Sequence, residues 1–153
     1  MKSMKTVIIV LSLTCCSAYA AVDISKLPPA STQQGVTYAK DIKPIFEDSC
    51  FRCHGSEKQK GGLRLDSLEA ALKGGKDNKG KDVVPGKSAE SHLVIAVAQL
   101  DEKSAMPPKR KGPPGGGPGG PGGPGGGHGG PPAKVLTAEQ VGLVRAWIDQ
   151  GAK

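Results

Sequence analysis

Apolar residues recur at helical spacing in four stretches of the chain, and no stretch shows the sustained apolar/polar alternation of a sheet strand. The first runs from about Asp41 to a pair of cysteines and puts Ile42, Ile45 and Phe46 on one face; Pro44 fits only within the first turn, where backbone N–H groups lack helical partners. The second is short, capped by Asp66 with Glu69 three residues on, carries Leu68, Ala71 and Leu72, and stops at Gly74-Gly75. The third begins at Ser88 and carries Leu93, Val97 and Leu100. In the fourth, Thr137 and Gln140 form a capping box, Leu136 and Val141 occupy hydrophobic-staple positions, Val141, Val144 and Ile148 line a face beside Trp147, and Gly151 ends the helix. The pattern predicts one all-α domain over residues 36–153, with Phe46 and Trp147 in contact where the first and last helices cross. At roughly 85 to 100 ordered residues such a domain is near the size at which a core alone stabilises only marginally.

The segments outside these helices have other characters. Lys2 and Lys5 precede an apolar run from Val7 to Leu13 and the small-residue ending Ala18-Tyr19-Ala20, which predicts a signal peptide over 1–20, cleavage after Ala20 and export to the periplasm or cell envelope. The apolar run is too short to cross a bilayer, and no later stretch approaches the roughly 20 apolar residues a membrane helix needs. A lipid anchor at Cys15 or Cys16 is the rival reading, for which Thr14 and Cys15 are poor preceding residues. Residues 21–35 carry Pro, Ser and Gln without periodicity and read as a flexible tether. From Lys111 to Pro132 the chain is nearly pure Gly and Pro, interrupted by His128. With no other side chain to bury, residues 112–132 predict a disordered, low-complexity loop inside the domain, and the lack of Gly at every third place argues against a collagen helix.

Charge and cysteine content narrow the function. The formal net charge is +7, and loss of Lys2 and Lys5 leaves +5. Export and the absence of a groove-reading motif or aromatic platform exclude nucleic acid as partner. The lysines between Lys60 and Lys111, with Arg110, read either as a docking surface for an acidic redox partner or as a solubility device. Cleavage also removes Cys15 and Cys16, so Cys50 and Cys53 remain in one five-residue motif and no disulfide scaffold is available.

That motif is Cys50-Phe51-Arg52-Cys53-His54, C-x-x-C-H. Two thiols at the end of a helix can form thioethers with the two vinyl groups of one haem, and the adjacent imidazole can bind its iron. A zinc half-site lacks a second Cys/His pair, and a thioredoxin-like dithiol lacks a βαβ setting. Met106 is the only methionine after cleavage and lies in Ala105-Met106-Pro107-Pro108, where its thioether suits the opposite side of the iron. His92, near the start of the third helix, competes for that position, while His128 stands isolated in the Gly/Pro stretch. An iron left five-coordinate opens the way to peroxide or gas chemistry, so the sixth ligand separates a carrier from a catalyst.

These features resemble class I cytochrome c domains, and more closely the planctomycete-type cytochrome c domain. The matching stretches are Tyr38 to His54, Lys60-Gly61-Gly62-Leu63-Arg64-Leu65-Asp66, Val84-Pro85-Gly86-Lys87-Ser88, Met106-Pro107-Pro108, and Trp147-Ile148-Asp149-Gln150-Gly151-Ala152. The resemblance implies one covalently bound haem c, with Cys50 and Cys53 as attachment points, His54 as proximal ligand and Met106 as distal ligand. It implies electron transfer and adds little about partners; taken with the signal segment, the expectation is an exported single-electron carrier, not itself an enzyme, that exchanges electrons with a redox protein. The alternatives are a catalytic or electron-input haem module, peroxidase-like with a displaceable sixth ligand, and a surface protein whose Gly/Pro segment contacts envelope polymers. The Gly/Pro insertion is longer than the family pattern leads one to expect.

Overall fold

A computed structural model of the chain describes residues 22–108 and 134–153. The expected signal segment, the Gly/Pro stretch with His128, and Lys109, Arg110 and Lys111 lie outside the described residues. The elements in order are a 3-10 turn Ile24–Lys26, a π-helical turn Tyr38–Ile42, α1 Lys43–Ser49, α2 Phe51–His54, a 3-10 turn Lys60–Gly62, α3 Leu68–Lys73, a 3-10 turn Ser88–Glu90, α4 His92–Val97 and α5 Ala138–Asp149. Among the described residues there is no strand, only an isolated bridge between His54 and Gln59, so the architecture is all-α.

Each expected helix is present, and the ends differ for local reasons. The first begins at Tyr38 rather than Asp41. Pro44 has no N–H to offer the preceding turn, and that turn is widened so that the Lys43 N–H reaches the Tyr38 carbonyl five residues back. Asp41 sits inside the turn, where its carboxylate accepts the Thr37 N–H at 2.9 Å. The second helix is capped by Ser67, whose hydroxyl accepts from Ala70 N–H at 3.2 Å, because Asp66 is engaged by the Arg64 guanidinium at 2.7 and 3.0 Å. The third is split at Ser91. This fully buried hydroxyl accepts the Val84 N–H and donates to the Lys87 carbonyl, so α4 starts only at His92, and it ends at Val97 with Gln99 in the left-handed region. The capping box of α5 is formed by Thr137 and Gln140 as expected, and Leu136 and Val141 are both buried.

α5 is the spine of the core. Phe46 and Trp147 meet edge to face with ring centroids 6.3 Å apart at 81°, and Tyr38 joins them 5.9 Å from Trp147. The polar atoms of this cluster are satisfied: the Tyr38 hydroxyl donates to the Leu65 carbonyl at 2.7 Å, and Trp147 Nε1–H donates to the main-chain oxygen of Lys153 at 3.1 Å. Ile42, Leu65, Val94, Val97, Val141, Val144 and Ile148 complete the core.

The described part of the segment that composition alone reads as a tether, residues 22–35, is not free but lies against α5, with Val36 following it. Leu27 and Val36 are buried, Ser31 N–H donates to the Gly142 carbonyl at 2.9 Å, and the Gln150 amide donates to the Gln33 carbonyl at 2.7 Å. Arg145 donates to the Pro28 carbonyl and, through Nε, to Ser88 Oγ at 3.2 Å, while that hydroxyl donates to Asp149 at 2.9 Å. The close approach depends on Gly142, where a Cβ would lie 2.6 Å from the Pro29 carbonyl oxygen. In a free helix Gly→Ala stabilises by about 1 kcal/mol. Here Gly142→Ala is expected to do the reverse, costing about 1–3 kcal/mol through the clash and exposing residues 22–35 to protease. Thermal unfolding and limited proteolysis test this; a variant as stable as the parent would contradict the packing.

Candidate functional site

The cysteine motif sits where the helix breaks. Cys50 leaves helical geometry at φ −122°, while its N–H still donates to the Phe46 carbonyl at 2.7 Å. Its own carbonyl accepts from both Cys53 N–H, at 3.0 Å, and His54 N–H, at 2.9 Å. One extra turn, α2, therefore packs both thiols and the imidazole into a few ångströms of chain. Gly55 must follow, since a Cβ there would meet the Phe51 carbonyl oxygen at 2.5 Å.

The next segment folds back and holds the histidine. Leu65 N–H donates to the His54 carbonyl at 2.7 Å, and His54 Nδ1 lies 3.3 Å from the Leu63 carbonyl oxygen. A carbonyl only accepts, so Nδ1 carries the hydrogen and Nε2 of the neutral ring carries the lone pair. Burial, the largest influence, lowers the His54 pKa below its ordinary value, which favours that neutral ring; the hydrogen bond to Leu63 opposes it. The Cys50 thiol is pushed up to about 12, first by burial and then by Cys53 beside it, and neither cysteine is in a disulfide. A C-x-x-C oxidoreductase needs the opposite, a thiolate stabilised near neutral pH.

Met106 reaches the same place from the far side of the sequence. Its N–H donates to the Ala96 carbonyl at 2.9 Å, Ala105 is buried before it, and the Gln99 amide donates to the Pro107 carbonyl at 3.1 Å, which pins the loop to the end of α4. The methionine is 37% exposed. Cys50, Cys53, His54 and Met106 all line one cavity of about 1520 Å³, with Leu65, Leu93, Ala96, Val97 and Leu136 as its apolar walls. That exceeds the roughly 300–1,000 Å³ of an ordinary small-molecule pocket. The structure thus brings together the four site residues singled out from the sequence.

Several groups at the cavity had no sequence signal. The Leu63 carbonyl is one, because a backbone oxygen carries no residue identity. Another is a polar chain in the cavity wall. Asp82 is 2% exposed and accepts from Gly75 N–H on one oxygen and from Asn78 Nδ2 on the other, each at 2.7 Å; Asn78 Nδ2 also lies 3.0 Å from His92 Nδ1. His92 lines the cavity, as do Lys58, Lys60 and Lys103, whereas Lys73, Lys76, Lys79, Lys81 and Lys87 are exposed elsewhere. Among the described residues no three His, Cys, Asp or Glu side chains gather to hold a bare metal ion, and no helix is long and apolar enough to cross a membrane.

Neither the curated proteins nor the solved structures include a match to this chain. A family does match. Residues 50–110, from the first cysteine of the motif through the Met106 loop, match the family described as Planctomycete cytochrome C, which supports a planctomycete-type cytochrome c domain over that stretch.

Proposed function

We propose that the protein is an exported carrier of single electrons, built as a class I-like cytochrome around one covalently attached haem c. One observation carries the reading: both thiols of the motif, a histidine whose Nδ1–H is spent on the Leu63 carbonyl, and the Met106 thioether all line the same apolar-walled cavity. The donor set fits the group. Cys50 and Cys53 are unpaired thiols that suit thioether attachment, His54 offers a neutral Nε2 lone pair, and Met106 offers a soft sulfur.

When bound, the haem supplies one-electron exchange between ferric and ferrous iron. The rest falls to the chain. Cys50 and Cys53 retain the porphyrin in a domain too small to hold it by burial alone. The Leu63 carbonyl fixes the ring orientation of His54 and raises its basicity as a ligand. Met106 would hold the iron through a soft sulfur that favours the ferrous state, and its loop is fixed by hydrogen bonds to Ala96 and Gln99. Leu65, Leu93, Ala96 and Val97 keep water from the site. Lys58, Lys60 and Lys103 at the cavity offer positive charge to an acidic redox partner. The segment 1–20 directs export to the periplasm or cell envelope.

The peroxidase-like alternative requires an open sixth position. The ferric protein is expected to give a low-spin spectrum with the weak methionine-to-iron charge-transfer band. Met106→Ala should convert it to a high-spin form that binds cyanide and has a lower reduction potential; a spectrum unchanged by the substitution would remove Met106 from the site. Electron transfer with an acidic partner should slow about tenfold or more as salt rises from about 0.01 M, where screening extends about 30 Å, to about 0.15 M, where it extends about 8 Å. Stopped-flow rates that do not change with ionic strength would rule out lysine steering.

A further inference from the structure

We infer that His92 is a carboxylate anchor for the porphyrin, donating its Nε2–H to a haem propionate, and is not an iron ligand; the inference rests on the haem-binding reading above. The polar chain behind the ring determines its hydrogen positions. Asp82 is buried with both oxygens accepting, one from Gly75 N–H and the other from Asn78 Nδ2, each at 2.7 Å. The Asn78 atom facing that carboxylate must be the amide nitrogen, since an oxygen there would set two acceptors against each other. Its second hydrogen then goes to His92 Nδ1 at 3.0 Å, which must accept it.

An imidazole that accepts at Nδ1 carries its hydrogen on Nε2. This is the reverse of His54, whose Nδ1–H is held by Leu63 and whose Nε2 is left with the lone pair. The two histidines of one cavity are thus preset to opposite tasks: one to bind a metal, the other to donate.

The remaining question is what accepts. His92 lines the cavity with its side chain 36% exposed, and among the described residues nothing accepts from its Nε2. Lys58, Lys60 and Lys103 line the same cavity and favour an anion; of the acidic groups there, Asp82 has both oxygens occupied by donors and Asp66 is paired with Arg64, which leaves Glu57 and Asp77 as the opposing charges. Haem c carries two carboxylates, and a carboxylate leaving water needs donors in place. An Nε2–H held by a buried chain supplies one without reorganisation.

The test uses the matured ferrous protein. Nitrogen-15 NMR should show His92 protonated at Nε2 and His54 at Nδ1. In resonance Raman spectra the propionate bending band should shift in His92→Leu and return toward its original position in His92→Gln, whose amide retains a donor, while the low-spin spectrum reports that axial ligation persists in both. Asn78→Leu should let the Nδ1–H tautomer of His92 appear. A propionate band indifferent to His92→Leu, or loss of the low-spin spectrum in that variant, overturns the inference. Should His92→Leu fail to accumulate, an Nδ1–H tautomer of His92 in the parent protein overturns it alone. A protein that matures without haem would instead defeat the underlying reading.

Discussion

A buried imidazole nitrogen must find a partner, and at His54 the partner is a backbone carbonyl nine residues on. To bring Leu63 there, the chain after the cysteine motif has to turn back at once, through Gly55 and the turn Lys60–Gly62, and lie against α2. Leu65 then accepts the Tyr38 hydroxyl on its carbonyl while donating its own N–H to His54. The same strip of chain therefore orients the histidine, forms a wall of the cavity and ties to the aromatic cluster. Loosening the His54 hydrogen bond would loosen all three.

The aromatic cluster carries this constraint to the rest of the domain. Tyr38, Phe46 and Trp147 come from the two ends of the described chain, so the crossing of α1 and α5 closes the fold over the segments between them. On the other side of α5, Arg145 links Pro28 to Ser88, and through Ser88 to Asp149. Side chains of one twelve-residue helix thus hold the N-terminal strap, the turn before α4 and, through Trp147, α1. What this core does not fill is the cavity itself, lined by Leu65, Leu93, Ala96 and Val97. Those side chains are already buried in the fold, so a porphyrin seated there would rest on a preformed apolar wall and extend a core that a domain of this size can build only in part.

Helical periodicity made the helices legible, because Phe46, Val97, Val144 and Ile148 bury the faces their spacing indicates. It could not place the ends. Ser67 rather than Asp66 caps α3 because Arg64 claims the aspartate, and Ser91 interrupts the third helix because its hydroxyl accepts the Val84 N–H from outside the helix while donating to the Lys87 carbonyl. The strap at 22–35 was hidden for a related reason: its contacts are mostly main-chain carbonyls and N–H groups meeting α5, and composition does not report those. At the site, Cys50, Cys53 and His54 stand in one motif and Met106 was reached by elimination. The groups that set the histidines, the Leu63 carbonyl and the Asp82 and Asn78 side chains, become visible only when the chain is folded.

The central claim is that Cys50 and Cys53 hold a porphyrin in the cavity they share with His54 and Met106. The most direct measurement is the intact mass of the exported, matured protein, taken together with a pyridine haemochrome spectrum. The account predicts a mass greater by one haem, resistant to acid-acetone extraction, and a spectrum of the two-thioether type, both abolished in the double variant Cys50→Ser, Cys53→Ser. A colourless protein at its polypeptide mass, with both thiols free or joined to each other, would contradict it.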